Sequence, residues 1–135
     1  MARYEGGCLC GSIRFGFDGE PTAFTYCHCV SCRKASGSAF AANATVARDT
    51  VALEDGKGTL REFESSPGKM RAFCSRCGSP VFAYRMDAPN ALRIRMGLLD
   101  SAYAQRPTSH IWVSEMPGWD QICDDVTQSA RSVAS

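Results

Sequence analysis

Residues 26–34 read YCHCVSCRK. Three thiols within six positions repel one another once ionised, so the arrangement needs a cation or a disulfide to neutralise it. Which of the two applies decides the fold, because a disulfide-stapled secreted domain and a metal-knuckled reduced one are held together differently. Eight cysteines occur in all: Cys8 and Cys10, then Cys27, Cys29 and Cys32, then Cys74 and Cys77, with Cys123 alone. The opening MARYEGG offers no apolar run for a signal peptide, and no later stretch approaches the roughly 20 apolar residues of a membrane span. A cytoplasmic location and no membrane partner are therefore expected. In a reducing compartment, clustered cysteines are metal ligands or catalytic groups more often than disulfides, and zinc is the reading that follows.

At 135 residues, with 44% hydrophobic and 21% charged, the chain has the makings of one core. We expect a single zinc domain over residues 1–125 and a polar tail over 126–135. The formal net charge is +1, so the totals imply no basic face and no nucleic-acid partner. Ile13, Phe15 and Phe17 alternate with Arg14, Gly16 and Asp18, while Leu92, Ile94 and Met96 alternate with Arg93, Arg95 and Gly97; both show the period of a half-buried strand. Shorter extended segments are expected at 24–27, 40–46, 59–63, 70–74, 81–84 and 110–113, with turns at EDGKG and SSPGK. Helix is limited to a turn or two at 31–36 and 99–105. The expected fold class is all-β: small, mainly antiparallel sheets with zinc-binding knuckles and at most short helical turns.

CLCGS at Cys8 and CSRCGS at Cys74 share one detail, a Gly-Ser pair after the last cysteine. Glycine there admits positive φ, which tightens a metal-binding turn. Two such turns supply the four thiolates of a closed tetrahedral site, so Cys8, Cys10, Cys74 and Cys77 are expected to hold a structural zinc. Cys27, Cys29 and Cys32 have no matching fourth cysteine. Three protein ligands leave one position for substrate, the pattern of a catalytic zinc, and Arg33 and Lys34 are placed to offset the excess negative charge. The competing reading has Cys123, His28 or His110 close a second structural site. His28, between two ligands, is expected to point away from the ion. Cys123 lies among acids in WDQICDD and receives no role. Trp112 and Trp119 flank SEMPG, where they either wall a pocket or pack a turn.

With GGCLCGSIRF, YCHCVSCRKASGSAF, FCSRCGSPVF and HIWVSEMPGW in that order, the chain resembles the glutathione-dependent formaldehyde-activating family, which includes the domain of centromere protein V. The resemblance implies a small all-β fold built around two zinc ions per chain, structural at Cys8, Cys10, Cys74 and Cys77 and at the active site on Cys27, Cys29 and Cys32. It implies a carbon–sulfur lyase that forms or cleaves S-hydroxymethylglutathione, the adduct of glutathione and formaldehyde, with glutathione as the small-molecule partner. Arg33, Lys34, His110 and Trp112 are the candidate substrate contacts. Gly118 and Asp120 in SEMPGWDQI depart from the family pattern of a proline running directly into an aromatic residue. The alternative from another class is a zinc-stabilised binding or chromatin-type module with two structural ions and no catalysis.

Overall fold

Alternation at residues 13–17 and 92–96 generates one shared core in the computed structural model, which describes residues 2–132. Among the described residues there are eleven strands: β1 (Arg3–Gly7), β2 (Arg14–Asp18), β3 (Ala23–Cys27), β4 (Ala41–Ala47), β5 (Val51–Glu54), β6 (Leu60–Ser66), β7 (Lys69–Cys74), β8 (Pro80–Arg85), β9 (Ala88–Arg95), β10 (Ser109–Ile111) and β11 (Thr127–Gln128). They form a three-stranded sheet, β1-β2-β5, and an eight-stranded sheet, β11-β10-β3-β4-β9-β8-β7-β6. Phe15 and Phe17 from the first sheet, with Ile13 just before β2, pack with Val46, Ala72, Val81, Phe82, Leu92 and Ile94 from the second. Burying one such side chain contributes roughly 2–3 kcal/mol, so this interface is the main apolar stabilisation of the fold.

Most pairings are antiparallel, as the alternating segments suggest, but β10 runs parallel to both β3 and β11. The large sheet is therefore mixed. Among the described residues the one α-helix is α1 (Val30–Ser36), close to the expected 31–36. Cys29 caps its start, the Cys32 N–H donating to Cys29 Sγ at 3.3 Å, and Gly37 at φ 65° ends it.

The helical turn expected at 99–105 is absent. Met96–Leu98 makes a 3₁₀ turn instead, after which the Asp100 and Ser101 N–H groups both donate to the Glu5 carbonyl, at 2.9 and 3.1 Å. Tertiary acceptors on β1 have replaced the intrahelical ones. β1 itself, RYEGG, shows no apolar alternation and is not evident in the sequence. Its Gly6 and Gly7 are buried because the chain at Leu98 and Leu99 comes so close that a Cβ on Gly6 would meet the Leu98 carbonyl oxygen at 2.3 Å. The expected polar tail from residue 126 begins inside a pairing: β11 lies on β10, and the N–H groups of Trp112, Val113 and Ser114 donate to the carbonyls of Arg131, Ser129 and Ala130. Polar composition did not prevent docking, because backbone ladders need no apolar side chain.

Candidate metal centres

Two groups of cysteine sulfurs converge. In the first, Cys8 and Cys10 follow β1, Cys74 ends β7 and Cys77 lies in the turn to β8. All four sulfurs lie within 4.8 Å of one another; Cys8 to Cys10 is 3.6 Å and Cys10 to Cys74 is 3.8 Å. Sulfurs at the corners of a tetrahedron, each about 2.3 Å from a central zinc, are about 3.8 Å apart. The donor set and its spacing fit that ion. Both knuckles turn on a glycine at φ 80°, Gly11 and Gly78, whose N–H groups donate to the Cys8 and Cys74 carbonyls at 3.0 and 2.7 Å. Hydroxyls stabilise the thiolates. Ser12 Oγ lies 3.2 Å from Cys10 Sγ and 3.4 Å from Cys74 Sγ, and Ser79 Oγ lies 3.2 Å from Cys77 Sγ. Burial opposes ionisation of Cys74, yet hydrogen bonds from Ser12 and Thr59 and from nearby backbone N–H groups hold it down to about 5. Cys77, helped by the Ser79 hydroxyl, is held at about 7.

The second group, Cys27, Cys29 and Cys32, sits where β3 runs into α1. Among the described residues no histidine or carboxylate joins these three sulfurs. Their protons are unequally held. Hydrogen bonding to Cys29 and Cys32, then burial, pushes the Cys27 thiol up. Cys32 is held far below the thiol range, because Cys27 and Cys29 donate to it and the Arg95 and Arg71 guanidiniums favour its anion. Arg71 Nη1 and Nη2 lie 3.9 and 3.8 Å from Cys32 Sγ. Three thiolates disposed this way suit a soft divalent ion with one position left free.

This cluster opens on a cavity of about 260 Å³ lined by Thr25, Asn43, Lys69, Arg71, Arg85, Arg93, Ile111, Trp112 and Ser132 besides the cysteines. The period of 2 explains the lining. Leu92 and Ile94 of β9 face the core, so Arg93 and Arg95 emerge on the other face; Lys69 and Arg71 on β7 repeat the pattern, and Lys69 pairs in register with Arg85. Asn43 pairs with Arg95 and accepts a hydrogen bond from its guanidinium. The apolar wall is Ile111 and Trp112, and Trp112 holds a left-handed backbone, φ 57° and ψ 38°, the one such non-glycine residue among those described. Its pairing to Arg131 fixes that uncommon geometry.

The expected substrate contacts are thus only partly brought together. Trp112 lines the cavity, whereas Arg33 and Lys34 do not. A helix turns about 100° per residue, and the two cations after Cys32 leave the cavity side: Lys34 is exposed on a groove with Phe63, and Arg33 Nε is buried without a hydrogen-bond partner. The positive charge beside the sulfurs comes from the sheet instead. Lys69, Arg71, Arg85, Arg93 and Arg95 were missed as site residues. The alternation of Arg93 and Arg95 with Leu92 and Ile94 is the signal for that face, and it reads equally as the solvent side of a half-buried strand. His110 is buried behind the cluster, where His28 Nε2 and His110 Nδ1 are 2.8 Å apart and His110 Nε2 lies 3.0 and 3.1 Å from the two Asp124 carboxylate oxygens. A carboxylate accepts, so His110 Nε2 donates to it and His28 Nε2 donates to His110 Nδ1. Burial and the neighbouring His110 lower the His28 pKa, keeping that imidazole neutral. Cys123 is exposed, apart from both clusters.

A family model described as "Glutathione-dependent formaldehyde-activating enzyme" matches residues 3–115. The chain belongs to this family. Within it, the chain is 32% identical over 126 residues to a Halomonas elongata protein named "Putative glutathione-dependent formaldehyde-activating enzyme", covering 87% of this chain and 80% of that one. It is 34% identical over 85 residues to an uncharacterized lyase of Schizosaccharomyces pombe, covering 62% of this chain and 60% of the other. A crystal structure of a Rhodobacter sphaeroides protein superposes with a TM-score of 0.59 at 20% identity, over 73% of this chain and 90% of that one, a likeness of fold. Family membership covers both knuckles, the triplet and Trp112, all of which fall inside the matched residues.

Proposed function

We propose that the protein is a zinc-dependent carbon–sulfur lyase that forms or cleaves S-hydroxymethylglutathione. Cys8, Cys10, Cys74 and Cys77 hold a structural zinc in this reading, and Cys27, Cys29 and Cys32 hold the zinc of the active site. One observation carries it: one cluster closes on itself with four sulfurs, while the other offers three at the floor of a cavity. The names of the relatives, one a formaldehyde-activating enzyme and one a lyase, point to the same chemistry.

When bound, zinc supplies Lewis acidity that favours the thiolate form of a substrate sulfur. The chain's own groups do the rest. Arg71 and Arg95 stabilise the anion of Cys32 at the floor, which keeps that sulfur available as a ligand at neutral pH. Ile111 and Trp112 present an apolar wall that limits water around the reacting carbon. The substrate thiolate's lone pair forms the new bond to the formaldehyde carbon, the C=O π pair moves to oxygen, and that oxygen takes a proton from water. Cleavage reverses each step. Carbon-13 exchange spectroscopy of formaldehyde with glutathione tests the proposal. The zinc-loaded protein should interconvert free aldehyde and adduct faster than the spontaneous reaction, and Cys29→Ser should return the rate to spontaneous. No acceleration by fully loaded protein would overturn it.

A further inference from the structure

The cavity over Cys27, Cys29 and Cys32 holds more positive charge than its sulfurs require. Three thiolates around a divalent ion sum to a formal −1. Arg71 and Arg95, only 5% and 7% exposed, are already committed, Arg71 to Cys32 and to the Ser65 hydroxyl at 2.9 Å, Arg95 to Asn43. Lys69, Arg85 and Arg93 remain on the wall, and among the described residues no carboxylate lines the cavity. Arg85 reaches outward to Asp87 at 3.2 Å on the surface. Among the described residues, Lys69 and Arg93 make no ion pair and no side-chain hydrogen bond. Clustered cations with no partner repel one another and are costly to desolvate unless an anion arrives.

We propose that Lys69 and Arg93, with Arg85 at the rim, are the specificity-determining residues of this site, and that they select a thiol by its carboxylates. The assignment rests on the thiol-binding reading above and adds which side chains choose the thiol. Burial, then the charges of Arg93, Arg71 and Arg95, lower Lys69 to about 8, which is the cost a bound carboxylate relieves. The arrangement gives the ligand its shape: a short thiol arm down to the sulfurs between Ile111 and Trp112, and carboxylates turned to β7 and β9. Arginine's planar fork suits a carboxylate in two-point contact. A cavity of about 260 Å³ lies at the lower edge of the range for ligand sites, favouring a small carboxylate-bearing thiol over a bulky one.

Calorimetric titration of the zinc-loaded protein tests this with three probes: glutathione, S-methylglutathione, which keeps the carboxylates and blocks the thiol, and glutathione dimethyl ester, which does the reverse. Arg93→Gln and Lys69→Gln should each weaken glutathione and S-methylglutathione by about 10- to 100-fold, and wild-type protein should bind the dimethyl ester correspondingly weakly. Arg93→Lys should recover part of the loss. In kinetics with glutathione and formaldehyde, the Gln variants should raise KM while kcat changes little. Zinc content and melting midpoint identify a variant that misfolds, and the other variant then carries the test. Unchanged affinity in both Gln variants, or a dimethyl ester that binds as well as glutathione, would overturn the assignment. Wild-type binding of glutathione without any carbon–sulfur exchange would overturn the lyase reading and leave the clamp standing; exchange at unchanged KM in the variants would do the opposite.

Discussion

The two cysteine clusters use one residue type for different ends. In the four-sulfur cluster every neighbour completes it: glycines tighten its turns, Ser12, Thr59 and Ser79 supply hydroxyls, and its sulfurs come from chain segments 64 residues apart. In the three-sulfur cluster the ligands are local, and the neighbours are guanidiniums and a cavity rather than hydroxyls and a closed turn. The difference teaches that charge balance separates the roles. On the proposed roles, neutral hydroxyls accompany the site whose four ligands the protein provides, whereas cations accompany the one that an anionic group would enter.

Exchanging one ligand in each cluster puts this contrast to its strongest test. Cys29→Ser should lower carbon–sulfur exchange on the order of 100-fold or more and leave one zinc per chain, while the melting midpoint falls only a few degrees. Serine can still cap α1 as Cys29 does, so the helix is spared. Cys77→Ser should instead lower the midpoint by on the order of 10 °C or more, because it releases a constraint spanning 64 residues. Equal shifts in both melts would erase the distinction.

Chelation sharpens it next. Titration with a chelator, followed by elemental analysis and thermal melts, should remove one zinc while the midpoint barely moves, and the second only at higher chelator, with a midpoint lowered by on the order of 10 °C or more. Simultaneous loss would mean the clusters are not independent.

Acid reads the hydroxyl-supported cluster more gently. Cys74 and Cys77 have depressed values, about 5 and about 7, so in metal-free protein their ionisation favours the fold fully above the ordinary thiol value near 9 and is lost as pH falls through 7 and then 5. Cys8, pushed up chiefly by burial, opposes this. Denaturant midpoints measured from pH 9 to pH 5 should decline, and removing the Ser12 hydroxyl by Ser12→Ala should flatten that decline. The smallest effect is expected at the histidine pair. Asp124→Asn weakens a charge-assisted hydrogen bond to His110 at a half-exposed carboxylate, so a midpoint shift of a few degrees with exchange rates within about twofold is expected. A large rate loss would show that the pair acts on the triplet in front of it.

Much of this comparison was legible in order and spacing. Cysteine pairs with trailing Gly-Ser and the unmatched triplet are local patterns whose chemistry depends on a few neighbouring residues, and the strands at 13–17 and 92–96 announce themselves by alternation. What escaped depends on partners distant in the chain. Arg93 and Arg95 look like a wet strand face until the cysteine triplet, distant in the chain, is brought beside it. Arg33 and Lys34 look like the triplet's counter-charges until the helix carries them off the cavity side. Leu99 and its followers pass for a helix because Glu5 is not beside them in the sequence, and the strand status of Gly6 and Gly7 rests on close approach of the chain at Leu98, which no propensity encodes.

The parallel seating of β10 against β3 has a consequence for the timing of biosynthesis. His28 and His110, which meet across it, are 82 residues apart, and the segment that fixes Trp112 ends at Arg131. A ribosome emits the chain from its N-terminus over several seconds. Throughout that interval Cys8, Cys10, Cys27, Cys29 and Cys32 are displayed before the strands that shelter them exist. The knuckle pair can be satisfied once Cys77 emerges, but the cavity over the triplet cannot be finished until Arg131 is made. The nascent protein therefore passes through a stage in which the first cluster can assemble while the cavity over the second is still open, and its five early thiols depend on the reducing power of their surroundings to arrive there unmodified.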